Sequence, residues 1–513
     1  MDKRTDILRE LGRATLTRRQ VIQGTVALAA SSLLSGCGSS NSAGAPQPAN
    51  PQPANPQPVP AGLLTQASLV VTATSVGSIG PAFAGLSYEK SKLYSPLFSA
   101  SNSDLIGMFE RLGPSVLRVG GNSVDRNVWT PNGPGQTPGQ IAPGDVDSLA
   151  AFVKAASWQC LYGINLGGAA TGATTPALAA AEVAYAAQQF GSSLVGIEIG
   201  NEPDLYGDSG NYFAGDWSLS QFLPLWDQFR EAILASTPGV PVTGPADASK
   251  ESTWTVPFGE TATKSEITLL TQHYYRANGQ LPTSTAAYLI TPDPTLIANL
   301  AILDAGAQSI GVPYRMSECN SFYNGGSSGV SDSYASSLWV IDYLFNCAQG
   351  GAVGVNFHGG GDGPGYTPIA DNDGTVVGAR PEFYGILLFT LAVQGTLYTA
   401  QISAGSLNVT AYAVGASSGG LNLIIANKDQ TQNLHVAAQL PQSAGSATLV
   451  AMTQLTSGAT APGLSATSGV TIQGGSVNPD GTFAPLPGYT LNPSGSELTC
   501  YVPALSAVLI QVR

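Results

Sequence analysis

Two glutamates stand out by their neighbours. Glu202 lies in Gly200-Asn201-Glu202-Pro203, and Glu318 lies in Met316-Ser317-Glu318-Cys319-Asn320. Each follows a short apolar run, so each is expected where a buried strand ends. Two carboxyl groups are what cleavage of a glycosidic bond needs. One protonates the leaving oxygen, and the other acts on the opposite face of the ring. When the second attacks carbon one directly, the two lie about 5–5.5 Å apart. An Asn directly before the proton donor suits the sugar's 2-hydroxyl, whose hydrogen bonds tighten in the transition state. A tyrosine from Gln272-His273-Tyr274-Tyr275 suits the nucleophile, which its hydroxyl can orient and hold ionised.

Only a fold that carries distant strand ends to one mouth can join these residues. Strand-like apolar runs occur at 83–89, 115–119, 161–166, 194–199, 240–244, 267–273, 312–317 and 353–358. Helical patterns fall between or after them at 104–112, 146–156, 177–190, 220–234, 294–303, 333–348 and 381–393. Alternation at this rhythm implies βα units and a parallel sheet. Eight strands fit an α/β fold, a (β/α)8 TIM barrel over residues 81–395, whose chemistry sits at the C-terminal strand ends. Glu202 then ends strand four, Tyr274 strand six and Glu318 strand seven. From 396 to 513 the pattern changes to short alternating runs with Gly, Ser and Asn turns, which suggests a C-terminal β-sandwich domain. The isolated strand-like stretch at 66–80 is expected to join that sandwich.

The first 37 residues read as a targeting segment. Thr17-Arg18-Arg19-Gln20-Val21-Ile22 resembles a twin-arginine export motif. A short apolar run follows and ends in Leu34-Ser35-Gly36-Cys37, which resembles a bacterial lipobox with Cys37 as the lipidated residue. Residues 38–65, with their Pro-Gln-Pro-Ala-Asn repeat, read as a disordered linker. Localisation is therefore expected outside the cytoplasm, on a membrane that is touched only through the lipid.

Bulk composition narrows the partners. A formal charge of −13, with no Lys/Arg run beyond the N-terminus, disfavours nucleic acid. Five cysteines and three histidines fall at no metal-ligand spacing, so no metal and no cofactor are expected. The four cysteines after Cys37 leave any disulfide connectivity open.

Three segments carry a family resemblance. Phe83-Ala84-Gly85-Leu86-Ser87-Tyr88-Glu89, the Asn-Glu-Pro of strand four, and Ser317-Glu318-Cys319-Asn320-Ser321-Phe322-Tyr323-Asn324-Gly325-Gly326 resemble glycoside hydrolase family 79, the β-glucuronidase and heparanase family. The likeness covers roughly residues 66–513. It implies a retaining enzyme that releases terminal β-glucuronic acid by double displacement, acting as a monomer on glucuronic-acid-containing carbohydrate. It implies Glu202 as acid/base, Glu318 as nucleophile, Asn201 on the 2-hydroxyl and Tyr274 against Glu318. Glu89 would hold a ring hydroxyl, and Tyr323, Tyr366 and the Gly365 amide would grip the uronate. Asn122 and Asp125 would add sugar contacts. Other readings use the same residues: an endo-acting heparanase-like enzyme, a related β-glycosidase acting on xylan or glucan, or a non-catalytic carbohydrate-binding lipoprotein. The scarcity of Lys and Arg argues against sulfated substrates, and the presence of both carboxylates argues against the last.

Overall fold

The computed structural model describes residues 55–208, 211–262, 267–392, 394–416, 419–454 and 463–513. Cys37, the twin-arginine segment and most of the Pro-rich repeat lie outside the described residues. Eight parallel strands close into a barrel: Ala84–Glu89, Val116–Gly120, Gln159–Ile164, Leu194–Ile199, Val242–Asp247, Leu269–Tyr275, Tyr314–Asn320 and Val355–Gly359, the last pairing back with the first. These strands are covered on both faces, so apolar and small residues dominate strands one to four. Arg118 and Glu198 are fully buried charges within those four, and strands five to eight add buried Asp247, Gln272, His273, Arg315, Glu318 and Asn356.

Helices follow the strands where local signals favour them. Pro143, Pro176, Pro294 and Pro381 each open a barrel helix, at a position where proline removes no helical hydrogen bond. The Thr175 and Asp293 side chains cap two of those helices by accepting from the Leu178 and Leu296 amides. The stretch after strand five, where the sequence shows no clear helical pattern, forms a wide turn at Glu251–Thr255 and a helix at Val256–Ala262. Pro257, Gly259 and the β-branched neighbours hide this helix from a propensity reading. Tertiary packing makes it, with Phe258 edge-on to Trp226 at 4.9 Å and Trp254 against Phe222 at 5.6 Å. Near the N-terminal strand ends, Arg315 plugs the barrel by donating to Asn356 Oδ1 (2.6 Å) and to the Ala82 and Val355 carbonyls.

The C-terminal strands form one ten-stranded sheet that curls around a core of its own. Leu64–Ile79 lies within it, antiparallel to Gly395–Ser403 and parallel to Asn433–Gln439. Side-chain alternation sorts its two faces. Leu423, Ile425, Val508 and Ile510 fill the inner core, while Ile424, Ala426, Ala507 and Leu509 join the barrel's core. That double burial explains why Leu421–Asn427 shows no exposed position. Polar contacts lock the two units: Asp342 takes Lys428, Thr410 Oγ1 (2.6 Å) and Tyr412 Oη (2.9 Å). The end of the segment read as linker is also packed here. Gln57 exchanges both amide bonds with the Tyr501 backbone (2.6 and 2.9 Å), and the Thr490 amide donates to the Asn55 carbonyl (2.7 Å).

Candidate active site

Strand four leaves the barrel through two residues in left-handed conformations, Gly200 (φ +89°) and Glu202 (φ +49°). A Cβ on Gly200 would stand 2.7 Å from Tyr206 Oη, so glycine is required there for space as well as for φ. The Glu202 amide donates to the Ala246 carbonyl at the end of strand five (2.9 Å), which anchors the turn. Left-handed backbone at a non-glycine residue costs energy and is typical of functional positions. Here it aims the Glu202 side chain across the barrel mouth. Glu318 reaches the same space from strand seven, and carboxylate oxygens of the two glutamates lie within 4.8 Å of each other.

A buried cation organises the floor. Arg118, fully enclosed on strand two, donates to Glu198 (Nε 2.8 Å), Glu318 Oε2 (Nη1 2.5 Å) and Asn201 Oδ1 (Nη2 2.8 Å). The Nη2 atom also lies 3.3 Å from His273 Nε2, and His273 Nδ1 is 3.1 Å from Glu202 Oε1. Since an arginine can only donate, His273 Nε2 accepts there and Nδ1–H faces Glu202. Tyr275 Oη donates to Glu318 Oε1 at 2.7 Å.

These surroundings push the two carboxyl groups apart. Burial raises the Glu202 carboxyl above the usual carboxylate range, and the charges of Glu318 and Asp204 add to the rise against the His273 hydrogen bond. Burial acts the same way on Glu318. There it is outweighed by His358, His273, Arg118 and the Tyr275 hydroxyl, which hold the carboxyl well below the usual range. One group holds its proton more tightly and its neighbour less, the kind of division seen where a pair of carboxyls does acid and nucleophile work.

Around this pair the expected sugar contacts divide. Asn201 is held through its Oδ1, which leaves its Nδ2 free of any described protein partner. Glu89 accepts from the Ser123 amide (2.8 Å) and hydroxyl (2.5 Å) and keeps about a third of its side chain open to solvent. Burial raises its carboxyl, but His358 and Ser123 outweigh this and lower it overall. Asn122 is exposed beside it on the rim. The loops carrying Tyr323 and Tyr366 press together: a Cβ on Gly365 would meet the Gly325 carbonyl at 2.0 Å, and one on Gly326 would meet the Tyr366 amide at 2.8 Å. Tyr366 lies tilted against Tyr275 (5.7 Å) and edge-on to His358 (6.0 Å), while Tyr323 stays exposed.

Two expectations are overturned. Tyr274 does not touch Glu318; its hydroxyl bonds Asp293 and its ring packs on Tyr343. Side chains alternate along a strand, so His273 and Tyr275 face the barrel interior and Tyr274 faces the helices. Asp125 is not a sugar contact. It is sealed beneath the mouth and accepts from the amides of Leu166 (2.8 Å), Gly167 (2.8 Å) and Asn201 (3.2 Å) and from Tyr206 Oη (2.6 Å). Its role is to brace the loops beneath Asn201.

Arg118, Glu198, His273, Tyr275 and His358 were not assigned from the sequence. The signal for the first two was present: single charges of opposite sign inside Val-Leu-Arg-Val-Gly and Ile-Glu-Ile, strands that ought to be apolar. His358 stands 3.0 Å from Ser87 Oγ, 3.6 Å from Glu318 Oε2 and 3.7 Å from Glu89 Oε1. Burial lowers its pKa, but the two carboxylates raise it further. Among the described residues, Glu202, His273 and Glu318 are the group close enough to share a metal ion. The Arg118 guanidinium already supplies positive charge there and occupies His273 Nε2. All four described cysteines, Cys160, Cys319, Cys347 and Cys500, are buried free thiols.

No protein-family model matches the chain. It is similar to a β-glucuronidase of Aspergillus niger, 24% identical over 331 residues that span 58% of this chain and 61% of that protein. A β-glucuronidase of Neurospora crassa is likewise 24% identical over 331 residues, 56% of this chain and 57% of its own length. The chain thus matches about three-fifths of these relatives. Among solved structures, a 4-O-α-L-rhamnosyl-β-D-glucuronidase from Fusarium oxysporum superposes with a TM-score of 0.70 at 18% identity, covering 86% of this chain and all of that one. An α-L-arabinofuranosidase from Thermotoga maritima gives 0.64 at 16% identity, over 87% of this chain and all of its own. A family 44 xyloglucanase from Paenibacillus polymyxa gives 0.59 at 12% identity, over 87% and 99%. The fold is therefore that of the barrel-and-sheet glycoside hydrolases, and fungal β-glucuronidases stand among its sequence relatives.

Proposed function

We propose that the chain is a retaining glycoside hydrolase that releases terminal β-glucuronic acid. The observation that carries the reading is the carboxyl pair: oxygens within 4.8 Å, one carboxyl raised and the other lowered. That spacing suits direct attack and is shorter than the roughly 6.5–9.5 Å at which an activated water is placed between the carboxyl groups of inverting enzymes. In the first step a Glu318 oxygen bonds to carbon one while the glycosidic bond breaks and Glu202 gives its proton to the leaving oxygen. In the second, Glu202 takes a proton from water, whose oxygen displaces Glu318 with the configuration restored. Arg118 and Tyr275 hold the nucleophile's charge and leave its reactive oxygen oriented. No step calls for a cofactor.

The uronate part of the reading rests on the family resemblance, the curated relatives and the joined loops of Tyr323, Gly365 and Tyr366. Neutral donors suit a carboxylate in a chain of net charge −13, because they add no competing salt bridge. An aryl glycoside panel tests it. The β-glucuronide should be cleaved at least tenfold better than the β-glucoside or β-xyloside, and Glu318→Gln should lose turnover while still binding sugar. Preference for a neutral glycoside would remove the uronate grip; no turnover on any member would remove the enzyme reading.

We further propose that the body works outside the cytoplasm on a lipid tether at Cys37, supported by the charge, apolar and Leu-Ser-Gly-Cys order of the N-terminus.

A further inference from the structure

Behind the proton donor lies a second pair of carboxyls that the mechanism above does not use. Asp204 sits in the turn Pro203–Leu205 that follows Glu202, and Asp247 ends strand five. Both are buried and in side-chain contact. The partners of each are unequal. Asp247 accepts from the amides of Ser249 (3.1 Å) and Lys250 (2.9 Å). Thr255 Oγ1 lies 3.1 Å from Asp247 and 2.6 Å from Gln272 Oε1, and its single hydrogen goes to the nearer acceptor. Asp204 Oδ1 accepts from the Ala248 amide (2.9 Å), but Asp204 Oδ2 has no hydrogen-bond donor among the described residues. Lys250 Nζ is 3.6 Å away, beyond hydrogen-bond reach, and donates to the Asp204 carbonyl at 2.8 Å. An orphaned buried oxygen against another carboxyl is satisfied if that carboxyl carries a proton, and two contacting carboxylates do not both ionise.

We propose that Asp204 and Asp247 share one proton and act together as a positioning pair for Glu202, bolting its turn to strand five and setting one buried negative charge beside it. The mechanical half follows from the contacts: the Glu202 amide on Ala246 O, the Ala248 amide on Asp204 and the Lys250 ammonium on the Asp204 carbonyl tie both strand ends together. The electrostatic half has a direction. A fixed anion near Glu202 favours its protonated form, and Asp204 is among the groups that raise that carboxyl. The other titratable groups facing Glu202 are His273 and Glu318, with the Tyr275 and Tyr366 hydroxyls nearby; those facing Asp204 are Asp247, Lys250 and Glu251. Lys250 is 42% exposed, so solvent screens it and it offsets the buried charge only in part. The inference rests on Glu202 as the proton donor.

Infrared titration of the full chain tests it without substrate. The carbonyl stretch of a protonated carboxyl should persist at neutral pH and lose one component in Asp247→Asn, a component that Glu382→Gln leaves in place. The Glu202 component, identified by its loss in Glu202→Gln, should titrate about 0.5–1 pH unit lower in Asp204→Asn than in the wild type. With an active glycoside in hand, the alkaline limb of kcat/KM should move by the same amount. Asp247→Asn, which keeps a donor toward Asp204, should restore most of what Asp247→Ala loses. An unchanged band in Asp247→Asn, or a Glu202 titration that superimposes in Asp204→Asn, overturns the proposal. Should every glycoside prove inert, the spectra still decide the shared proton, so the two failures are distinct.

Discussion

At the scale of single residues, strand six shows how one position along a strand separates chemistry from packing. Tyr274 and Tyr275 are adjacent and identical in type, but only Tyr275 reaches Glu318. A hydrogen bond to an ionised group is worth about 1.5–3 kcal/mol, so Tyr275→Phe should lower kcat by roughly 10–100-fold. It should also move the acid limb of the pH profile upward, because Glu318 loses a donor that favours its ionised form. Tyr274→Phe should leave kcat within about twofold and instead cost about 1.5–3 kcal/mol of stability through Asp293. Steady-state kinetics beside urea unfolding of both variants distinguishes these outcomes, and equal loss of kcat in the two would contradict the assignment.

At the scale of elements, the helix Pro381–Leu391 carries a buried carboxyl into the gap behind strands seven and eight. Glu382 is fully enclosed, with Oε2 accepting from Asn320 Nδ2 (3.2 Å) and Oε1 without a described donor. The same Asn320 amide donates to the His358 carbonyl (2.9 Å), so the helix start and the strand that carries Glu318 share one support. Burial pushes Glu382 up to about 8 against the Asn320 hydrogen bond. A carboxyl raised on folding binds its proton more tightly in the native state. Its stabilisation is therefore complete below the unfolded value near 4.5 and is lost as pH rises toward 8. Between pH 5 and 8 the wild type should lose on the order of 3 kcal/mol of stability from this group. Glu382→Gln should remove that slope, seen as a flatter urea midpoint against pH. Parallel slopes in the two proteins would show that Glu382 is charged in the native state.

For the whole molecule, the curled sheet does more than accompany the barrel. Its middle strands are buried between their own core and the barrel helices, and Lys428 is buried against Asp342 on a barrel helix. A buried charge pair broken on one side is costly, which ties the two units into one structure. The chain enters through this sheet: from Asn55 it runs along the edge and then becomes the strand Leu64–Ile79. A tether at Cys37 would thus pull on the sheet and leave the barrel mouth unloaded. Cys37→Ala should shift the protein from the membrane to the soluble fraction on cell fractionation with activity per molecule unchanged. Retention of the variant on membranes would remove the anchor.

Much of this was legible in the residue order, for physical reasons that differ by level. Barrel strands are buried on both faces, so their apolar runs stand out, and proline and glycine mark where the helices start and stop. Glu202 and Glu318 were visible because each is a charge set at the end of such a run. What only the tertiary structure decided is which neighbours face inward. Strand pleat and register select Tyr275 over Tyr274 and turn Asp125 into a brace, and closure of the barrel brings Arg118 from strand two to Glu318 on strand seven. Residue order specifies the groups. Their opposite proton affinities arise only when burial and distant charges meet around them, and no local pattern of residues encodes that meeting.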